Sequence, residues 1–297
     1  MIIPPYLKEG DRIGLFAPAR KINKESVTKA VELLENWGLK VVLGKNLFKE
    51  SHQFAGEDHD RAKDLHDFLM DDSIKAVLSF CGGYGSVRLL PYLQKTYPNP
   101  KWIIGYSDIT VFHTWANQQL GWASLHATMP LNMVQEGEDR KRSNDSLRQA
   151  LFGSPETLRI PAHPLEKTGN ARGILCGGNL SVLYSLLGSD LQLDTEGKLL
   201  FLEDLDEYLY HIDRMMQAII RSGIGTKAGG WLIGGMSAMR DNTVPFGHSA
   251  EEIIAGAHRA NSFPLKFGIE AGHIPLNRAV IFGMEYQLED DLLTPLH

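Results

Sequence analysis

Short apolar runs alternate with helical patterns along the first half of the chain. The segments 12–17, 40–44 and 76–80 have the length and apolar content of buried strands. Apolar residues recur at helical spacing through 27–37 and 58–70, which lie between those strands. Strands that alternate with amphipathic helices are typical of a parallel sheet covered on both faces. The pattern therefore predicts a doubly wound α/β domain.

A polar interval separates this half from the next. Residues 135–147 are highly charged, so we expect a solvated face or connection there. Prolines at positions 155, 161 and 164 interrupt the stretch that follows. Because prolines punctuate regular structure, we place a domain boundary near residue 165. The sequence thus predicts two domains, at 1–165 and 166–297, and both are α/β.

Composition and charge exclude several classes of protein. With 297 residues, of which 43% are hydrophobic and 22% charged, the chain can bury a large core. A net charge of −6 and a pI near 6.0 give no basic field for nucleic acid. The two cysteines are too few for a disulfide framework and lack metal-ligand spacing. We see no signal peptide and no run near the roughly 20 apolar residues of a membrane span, so we expect a cytoplasmic protein.

A serine stands where a strand gives way to a helix. The apolar run 102–105 leads through Tyr106, Ser107 and Asp108 into a helical pattern. Such a turn exposes a hydroxyl at a helix N-terminus, where backbone N–H groups can stabilise a developing oxyanion. Ser107 or Asp108 could equally serve only as a helix cap, because both residue types cap helices well. The turn alone leaves nucleophile and cap both open.

A glycine-rich loop at 82–85 follows the strand at 76–80 and opens another helical segment. Backbone without side chains can approach a ligand closely and point its amides inward. The loop has no Walker lysine and does not match Gly-x-Gly-x-x-Gly, which disfavours nucleotide binding. Loops at the carboxyl ends of neighbouring parallel strands line one crevice. We therefore expect the amides of Gly82 and Gly83 to face the same substrate carbonyl as Ser107.

The second half supplies carboxylates and a histidine. Strand signals at 172–179 and 198–202 flank a helical pattern over 180–187, and the second strand runs into the acidic segment 203–207. A charge run at a strand end is usually a solvated turn. His273 lies on a loop between a glycine and a nearby proline, although a lone loop histidine is often merely exposed. A serine, a carboxylate and a histidine can form a triad on many folds.

Five short motifs occur in order along nearly the whole chain. They are Gly-Gly-Tyr-Gly-Ser-Val-Arg-Leu-Leu-Pro at 82–91, Ile-Gly-Tyr-Ser-Asp-Ile-Thr at 104–110, Gly-Gly-Asn-Leu-Ser at 177–181, Leu-Glu-Asp at 202–204 and Ala-Gly-His at 271–273. Together they resemble one enzyme family, the L,D-carboxypeptidases of serine peptidase family S66, and their order makes the resemblance specific. An ordinary α/β-hydrolase is disfavoured, since Ile109 replaces the second glycine of its Gly-x-Ser-x-Gly elbow.

The resemblance implies a role for particular residues. By it, Ser107 is the nucleophile, His273 the general base and Glu203 the carboxylate that orients the histidine. The backbone N–H groups of Gly83 and Asp108 would form the oxyanion hole. No metal or other cofactor is implied, because serine, histidine and glutamate supply both nucleophile and base.

The resemblance also implies an architecture. It predicts a flavodoxin-like N-terminal domain, a C-terminal domain with a small β-barrel-like core, a catalytic cleft between them and a homodimer. Cys81 stands where family members often carry arginine, which leaves a substrate contact from that position open. Cys81 is also a weaker candidate nucleophile, since no histidine accompanies it nearby in sequence. Glu207 lies close to Glu203, so the choice between them rests on the motif.

Family members cut the bond between diaminopimelate and the terminal D-alanine of a murein tetrapeptide. That substrate ends in a free carboxylate, so we expect a cation or a cluster of amides to hold it. Arg88, Arg240 and the amides of the glycine loop are the candidates for this contact. The wider set of substrate-binding candidates is Gly82, Tyr84, Arg88, Asn179 and Arg240.

Two other functions stay open. The chain could resemble the microcin C immunity peptidases, which cleave a link to a nucleotide with the same triad and need an aromatic platform for the base. Those relatives carry a longer loop ahead of the glutamate than the stretch 188–198 here, which favours the murein substrate. A non-enzymatic ligand-binding protein would keep Ser107 as a cap and His273 unpaired.

Overall fold

Two sheets with flanking helices make up the computed structural model, which describes residues 1–296. Within that range, no helix is both long enough and apolar enough to cross a membrane. The strands are β1 (Arg12–Phe16), β2 (Lys40–Leu43), β3 (Ile74–Ser79), β4 (Trp102–Gly105), β5 (Ser124–His126), β6 (Leu158–Arg159), β7 (Ala171–Asn179), β8 (Leu199–Leu205), β9 (Gly230–Ser237), β10 (Leu265–Phe267), β11 (Val280–Phe282), β12 (Glu285–Glu289) and β13 (Leu292–Pro295). The α-helices are α1 (Lys24–Asn36), α2 (Asp58–Met70), α3 (Thr110–Trp115), α4 (Pro130–Met133), α5 (Glu138–Leu151), α6 (Leu180–Ser185), α7 (Leu209–Arg221) and α8 (Ala250–His258).

The first sheet has the strand order β11-β5-β4-β3-β1-β2. Strands β1 to β5 are parallel, and β11 adds an antiparallel edge beside β5. The order 2-1-3-4-5 is that of the flavodoxin-like fold. Ala76, Val77 and Leu78 on β3 are all fully buried, as in a parallel sheet covered on both faces. The predicted doubly wound first domain is confirmed.

The carboxyl ends of β1, β3 and β4 carry the loops that matter for function. The chain leaves β1 toward β2 on one side, while β3 lies on the other, so the strand order reverses between β1 and β3. Ligands of such sheets bind in the crevice outside the carboxyl ends at that reversal. Arg20 follows β1, the glycine loop follows β3, and Ser107 follows β4.

The second sheet has the order β10-β9-β8-β7-β12-β13-β6. Its first four strands are parallel and the remaining pairs antiparallel. Lys167, just before β7, exchanges two backbone hydrogen bonds of 3.0 Å with Leu265 on β10, which curls this mixed sheet into a half-barrel. The predicted barrel-like core of the second domain is confirmed in this curled form.

Strands and contacts cross the predicted boundary near residue 165. Strand β6 lies before it but joins the second sheet, and β11 comes from the second half but joins the first. The hydroxyl of Thr110 on α3 accepts a 2.9 Å hydrogen bond from the Asn179 backbone N–H at the end of β7. The division at residue 165 stays a prediction, while these contacts join the two sheets beside Ser107.

Helix α5 occupies most of the segment 135–147, which we expected to be a solvated face or connection, and it is a helix with one solvated face rather than a connection. Its buried face includes Ser143 and Ser146, whose hydroxyls accept hydrogen bonds from the backbone N–H groups of Asn277 (2.9 Å) and Ala279 (3.1 Å). Small hydroxyl residues with partners can be buried although they add little hydrophobic signal. The charged residues lie mainly on the opposite face, which is why the sequence looked like a surface segment.

Candidate active site

Ser107 lies in a strained turn directly after β4. Its φ of 66° is in the left-handed region, which non-glycine residues occupy at a cost of order 1 kcal/mol or more. A short 3-10 turn, Ser107–Ile109, then leads into α3. A Cβ on Gly105 would lie 2.8 Å from Ile109, so the turn needs glycine there. The predicted strand-to-helix turn is confirmed, and its backbone projects the serine hydroxyl into a cleft.

His273 contacts both Ser107 and Glu203. Its Nε2 lies 3.1 Å from the Ser107 Oγ, and its Nδ1 lies 2.6 Å from the Glu203 Oε2. The same carboxylate oxygen accepts a 3.1 Å hydrogen bond from the His273 backbone N–H. Because the carboxylate accepts at Nδ1, the neutral ring has Nε2 free to accept a proton from the serine. The structure thus brings the three residues together in the order that proton transfer requires.

The acidic segment 203–207 does not begin as the solvated turn that its charges predicted, because its first residues belong to β8. Strand β8 continues through Leu205, and the exposed fractions of Glu203 and Asp204 are 0% and 2%. Glu203 pairs in parallel register with Asn179 of β7. Sheet pairing on both sides carries these carboxylates into the interior, where hydrogen bonds offset their desolvation.

Gly272 makes room for the contact between Glu203 and His273. Its φ is +100°, and a Cβ there would lie 2.7 Å from the Glu203 carboxylate. Its N–H donates to the Asn277 side chain at 2.9 Å. The His273 carbonyl accepts a 2.6 Å hydrogen bond from the Ser237 hydroxyl. Backbone hydrogen bonds on both sides therefore hold the histidine loop in place.

Charge and burial act in opposite directions on His273. Burial alone lowers its pKa, but the hydrogen bond and charge of Glu203, with the charge of Asp204, raise it above the ordinary value of 6.5. Burial, assisted by the Glu203 charge, also raises the pKa of Asp204 to about 7. The imidazolium form of His273 is therefore more stable than that of a free histidine, which helps a base that must hold a proton during catalysis.

The glycine loop packs directly on the serine turn. A Cβ on Gly82 would lie 3.1 Å from the Ser107 Cβ and 3.4 Å from the Asp108 backbone nitrogen. The buried Asp108 carboxylate accepts a 2.8 Å hydrogen bond from the Ser86 N–H, which ties the two loops together. Within residues 1–296, neither the Gly83 amide nor the Asp108 amide donates a hydrogen bond. Both N–H groups are available to a ligand beside the serine.

A cavity of about 580 Å³ opens above these loops. Both sheets contribute to its walls, and Ser107 and His273 lie on its surface. Its lining comprises Arg20, Lys21, Ile22, Asn23, Phe80, Cys81, Gly82, Gly83, Tyr106, Ser107, Asp108, Met129, Leu131, Asn132, Asn179, Ser181, Val182, Asp204, Leu205, Asp206 and His273.

Gly82 and Asn179 are the predicted substrate-binding residues that line this cavity. The Asn179 side chain is committed to its own surroundings: its Nδ2 donates to Asp204 at 2.9 Å, and its Oδ1 accepts from the Val182 N–H at 3.1 Å. Asn179 thus caps α6 and holds Asp204 in the cavity wall. Asn179 would therefore affect a substrate mainly by positioning the Asp204 carboxylate.

Tyr84, Arg88 and Arg240, the other predicted candidates, are not among the lining residues. Arg88 forms a 2.7 Å ion pair with Asp58, and Arg240 forms a 3.0 Å ion pair with Asp206. Tyr84 is 52% exposed. None of these three residues is therefore part of the cavity wall that Ser107 and His273 share.

Two residues at the site were missed from the sequence. Arg20 lines the cavity from the loop after β1, and Tyr106 packs its ring 4.8 Å from the His273 ring. The Tyr106 hydroxyl donates to Asn132 at 2.9 Å, so that contact is anchored. The position of Arg20, just beyond the first strand of the parallel sheet, was a signal that could have identified it.

Cys81 and the remaining histidines do not form an alternative centre. Cys81 is buried beside the glycine loop, and burial raises the pKa of its thiol to about 11, which leaves little thiolate to attack. Glu207 contacts His211 at 2.7 Å rather than His273. No group of three or more histidine, cysteine, aspartate or glutamate side chains among residues 1–296 is arranged to hold a metal.

Comparisons with known proteins agree with this architecture. A sequence profile described as LD-carboxypeptidase N-terminal domain matches residues 13–127, and one described as LD-carboxypeptidase C-terminal domain matches residues 172–288. A probable murein peptide carboxypeptidase of Bacillus subtilis strain 168 is 35% identical over 94% of this chain and 89% of its own. The murein tetrapeptide carboxypeptidase of Pseudomonas aeruginosa PAO1 is 30% identical over 95% and 94%.

A solved structure shares the fold at lower identity. The microcin C7 self immunity protein MccF in its wild-type apo state superposes with a TM-score of 0.87 at 19% identity, covering 100% of this chain and 99% of that one. At that identity the likeness concerns the arrangement of the two sheets alone. The choice of substrate must be argued from the cavity.

Proposed function

This chain belongs to the LD-carboxypeptidase family, and from that premise we propose that it releases the terminal D-alanine of murein tetrapeptides in peptidoglycan recycling. Membership makes the chain a serine carboxypeptidase. One observation carries the assignment of its residues: His273 lies 3.1 Å from the Ser107 hydroxyl and 2.6 Å from the Glu203 carboxylate. We assign Ser107 as nucleophile, His273 as general base and Glu203 as the residue that orients the base.

Acylation begins when the Ser107 Oγ attacks the acyl carbon of the scissile bond. The hydroxyl proton passes to the His273 Nε2 as the carbon–oxygen bond forms, which leaves an imidazolium and a tetrahedral oxyanion. Glu203 accepts the Nδ1–H and stabilises that positive charge without taking the proton. The buried setting of Glu203 strengthens this interaction, because little water screens it.

Two backbone amides would stabilise the oxyanion. Gly83 and Asp108 both line the cavity, one from the glycine loop and the other from the turn that holds Ser107, and the absent side chain of Gly82 lets the two loops meet. A donor of this kind typically accelerates acyl transfer by about 10²- to 10³-fold. The geometry supports these amides because both are fixed by their loops before substrate arrives.

Collapse of the tetrahedral intermediate then releases D-alanine. The His273 imidazolium gives its proton to the departing amine, and the carbon–nitrogen bond breaks to leave an acyl ester on Ser107. Water attacks this ester with His273 again as base, which returns the serine hydroxyl and frees the shortened peptide. Both half-reactions use the same two proton positions, so no metal is required in this scheme.

The cavity lining favours a peptide over a nucleotide conjugate. The aromatic members of the lining are Phe80 and Tyr106, and they are 0% and 8% exposed. A nucleobase needs an accessible aromatic face for stacking, and neither ring offers one. The connection from α6 to β8 is also short, which supports the murein substrate over the microcin-type substrate.

Product analysis tests this function directly. The purified protein would be incubated with murein tetrapeptide, with the same peptide ending in L-alanine and with an aminoacyl sulfamoyl adenosine, and products would be identified by mass spectrometry. We expect D-alanine from the first peptide alone, and none from the Ser107→Ala variant. Cleavage of the nucleotide conjugate alone would replace the murein function with the microcin-type one. Saturable binding of tetrapeptide without any cleavage would indicate the non-enzymatic binding protein.

We add two proposals to the recycling role, one on the compartment and one on the oligomeric state. The enzyme would act in the cytoplasm on peptides that have been imported, and it would work as a homodimer, as the family resemblance implies. Cell fractionation with an antibody to the native protein tests the first. Sedimentation equilibrium of the full chain tests the second, with a mass near 66 kDa expected for two copies of the 33.1 kDa chain.

A further inference from the structure

A carboxypeptidase must recognise the free carboxylate at the end of its substrate. The cavity lining includes two cations, Arg20 and Lys21. The Lys21 ammonium is paired with Glu50 at 2.8 Å, whereas Arg20 forms no ion pair within residues 1–296. We propose that Arg20 binds the terminal carboxylate of the substrate and so makes the enzyme an exopeptidase. This inference rests on the proposed carboxypeptidase reaction and names the specificity residue of the same site.

The position of Arg20 over the glycine loop is the first argument. A Cβ on Gly83 would lie 2.5 Å from the Arg20 Nε and 2.8 Å from its Cδ. Because a Cα–Cβ bond is about 1.5 Å long, the Arg20 Nε lies within about 4 Å of the Gly83 Cα. The arginine side chain therefore covers the residue whose amide would bind the oxyanion, and Gly83 must be a glycine for that approach.

The reach of a single residue is the second argument. In the substrate, the scissile carbonyl carbon and the terminal carboxylate carbon are separated only by one nitrogen and one Cα, a span of about 3 to 4 Å. A charge-assisted hydrogen bond adds about 2.8 Å. The cation must therefore lie within about the length of one residue from the amides that bind the oxyanion. Arg20 meets this condition because it lies against Gly83, and the neighbouring Gly82 lies against Ser107.

The backbone around Arg20 is held on both sides, which fixes the origin of its side chain. Arg20 forms a backbone bridge with Phe54. The Ala55 N–H donates to the Ala19 carbonyl at 3.0 Å, and the Lys21 N–H donates to the Gln53 carbonyl at 3.0 Å. When the backbone of an arginine is already ordered, its side chain loses less conformational entropy on binding a carboxylate.

The second sheet offers no competing site for the terminal carboxylate. Asp204 and Asp206 reach the same cavity from the end of β8. Asp206 is paired with Arg240 at 3.0 Å, so neither residue supplies the cation that a terminal carboxylate needs, whereas Arg20 does. The leaving D-alanine would therefore lie toward the first sheet, and the rest of the peptide toward the second.

The test compares two substrates that differ only at the C-terminus. Murein tetrapeptide and its C-terminal carboxamide would be assayed with the wild type and with Arg20→Met, and kcat/KM determined for each. We expect the variant to lose about 10- to 100-fold on the carboxylate and almost nothing on the carboxamide, because the charged hydrogen bonds exist only with the first. Arg20→Lys should recover part of the loss, since it restores charge without the planar fork.

Matched controls separate this role from a structural one. Arg172→Met removes another exposed arginine, outside the cavity, and should leave the carboxylate-to-carboxamide ratio at the wild-type value. Labelling of Ser107 by a fluorophosphonate, which has no carboxylate, should proceed at the wild-type rate in Arg20→Met. An unchanged ratio in Arg20→Met, with a wild type that cleaves the tetrapeptide, would overturn the role of Arg20 alone. A wild type that cleaves neither peptide would instead overturn the proposed function.

Discussion

Two carboxylate–histidine pairs lie close together in sequence and differ in what surrounds them. Glu203 contacts His273 at 2.6 Å, and Glu207 contacts His211 at 2.7 Å. The first pair joins residues 70 positions apart, whereas the second joins residues one helical turn apart at the start of α7. The contact distances are nearly equal, so distance alone does not distinguish the pair that we propose as catalytic from the other pair.

Burial and a third partner do distinguish them. The exposed fractions of the side chains are 0% and 13% for Glu203 and His273, against 22% and 27% for Glu207 and His211. His273 also contacts the Ser107 hydroxyl, while the His211 ring packs near Tyr184. A pair that is partly open to water is screened and contributes little. Burial and the contact with Ser107 are therefore the features on which we propose the catalytic role for Glu203 and His273.

The largest expected effect is the loss of the nucleophile or the base. Ser107→Ala and His273→Ala should each lower kcat for D-alanine release by 10³-fold or more, on the order seen when triad members are removed elsewhere. The double variant should be little worse, because the residues act as one unit. His211→Ala is the matched control and should retain near-normal turnover. Near-normal release by Ser107→Ala would contradict the nucleophile assignment.

Removing the negative charge from each carboxylate should separate the two pairs. Glu203→Gln keeps the shape but loses the charge that stabilises the imidazolium, so kcat should fall by about 10²- to 10⁴-fold. Glu207→Gln should stay within about twofold of the wild type, since that pair is partly exposed. Steady-state kinetics on murein tetrapeptide measures both. The reverse ranking would move the orienting role to Glu207.

The pH dependence of kcat/KM should report the raised pKa of His273. Activity requires the neutral imidazole, so it should be lost as pH falls through a pKa above 6.5. Burial lowers the pKa of His273, and the interaction with Glu203 more than offsets that effect. The remaining activity of Glu203→Gln should therefore be lost at a lower pH than that of the wild type. Glu207→Gln should lose activity at the same pH as the wild type. If the acidic limb of the kcat/KM profile has the same pKa in Glu203→Gln as in the wild type, a group other than His273 titrates.

The smallest expected effect is that of metal removal. We expect full activity after dialysis against EDTA, because the proposed reaction uses only serine, histidine and glutamate. Addition of zinc to the dialysed protein should not raise the rate. Loss of turnover in EDTA with recovery on zinc would direct attention to His126, His211 and His248 as ligands.

The elements around Ser107 could be read from sequence because their signals are local. The parallel strands are continuous apolar runs, and the turn after β4 has the glycine, serine and acidic residue that a strand-to-helix junction favours. The family motifs likewise selected Glu203 over Glu207, and the structure places Glu203 against His273. Patterns of this kind do not depend on which distant segment packs on them.

Other features depended on contacts that the sequence pattern does not display. The buried face of helix α5 gave no signal in the sequence because it contains serines whose partners are backbone groups more than 130 positions away. Glu203 and Asp204, at the end of β8, looked exposed because charged residues normally face solvent. Arg88 and Arg240 looked available, but each had an acidic partner. In each case a specific partner in the folded chain, rather than the type of residue, decided whether the side chain was buried or available.

The sequence by itself determined the doubly wound first domain, the turn that holds Ser107 and the motifs that identify the family, because these follow from local periodicity and short-range geometry. Only the tertiary structure decided that β8 buries Glu203, that a loop 70 positions later brings His273 onto it, and that Arg20 covers Gly83. The physical reason is that burial and charge pairing are properties of neighbours in space. A carboxylate becomes part of a site through the sheet that desolvates it and the histidine that donates a hydrogen bond to it.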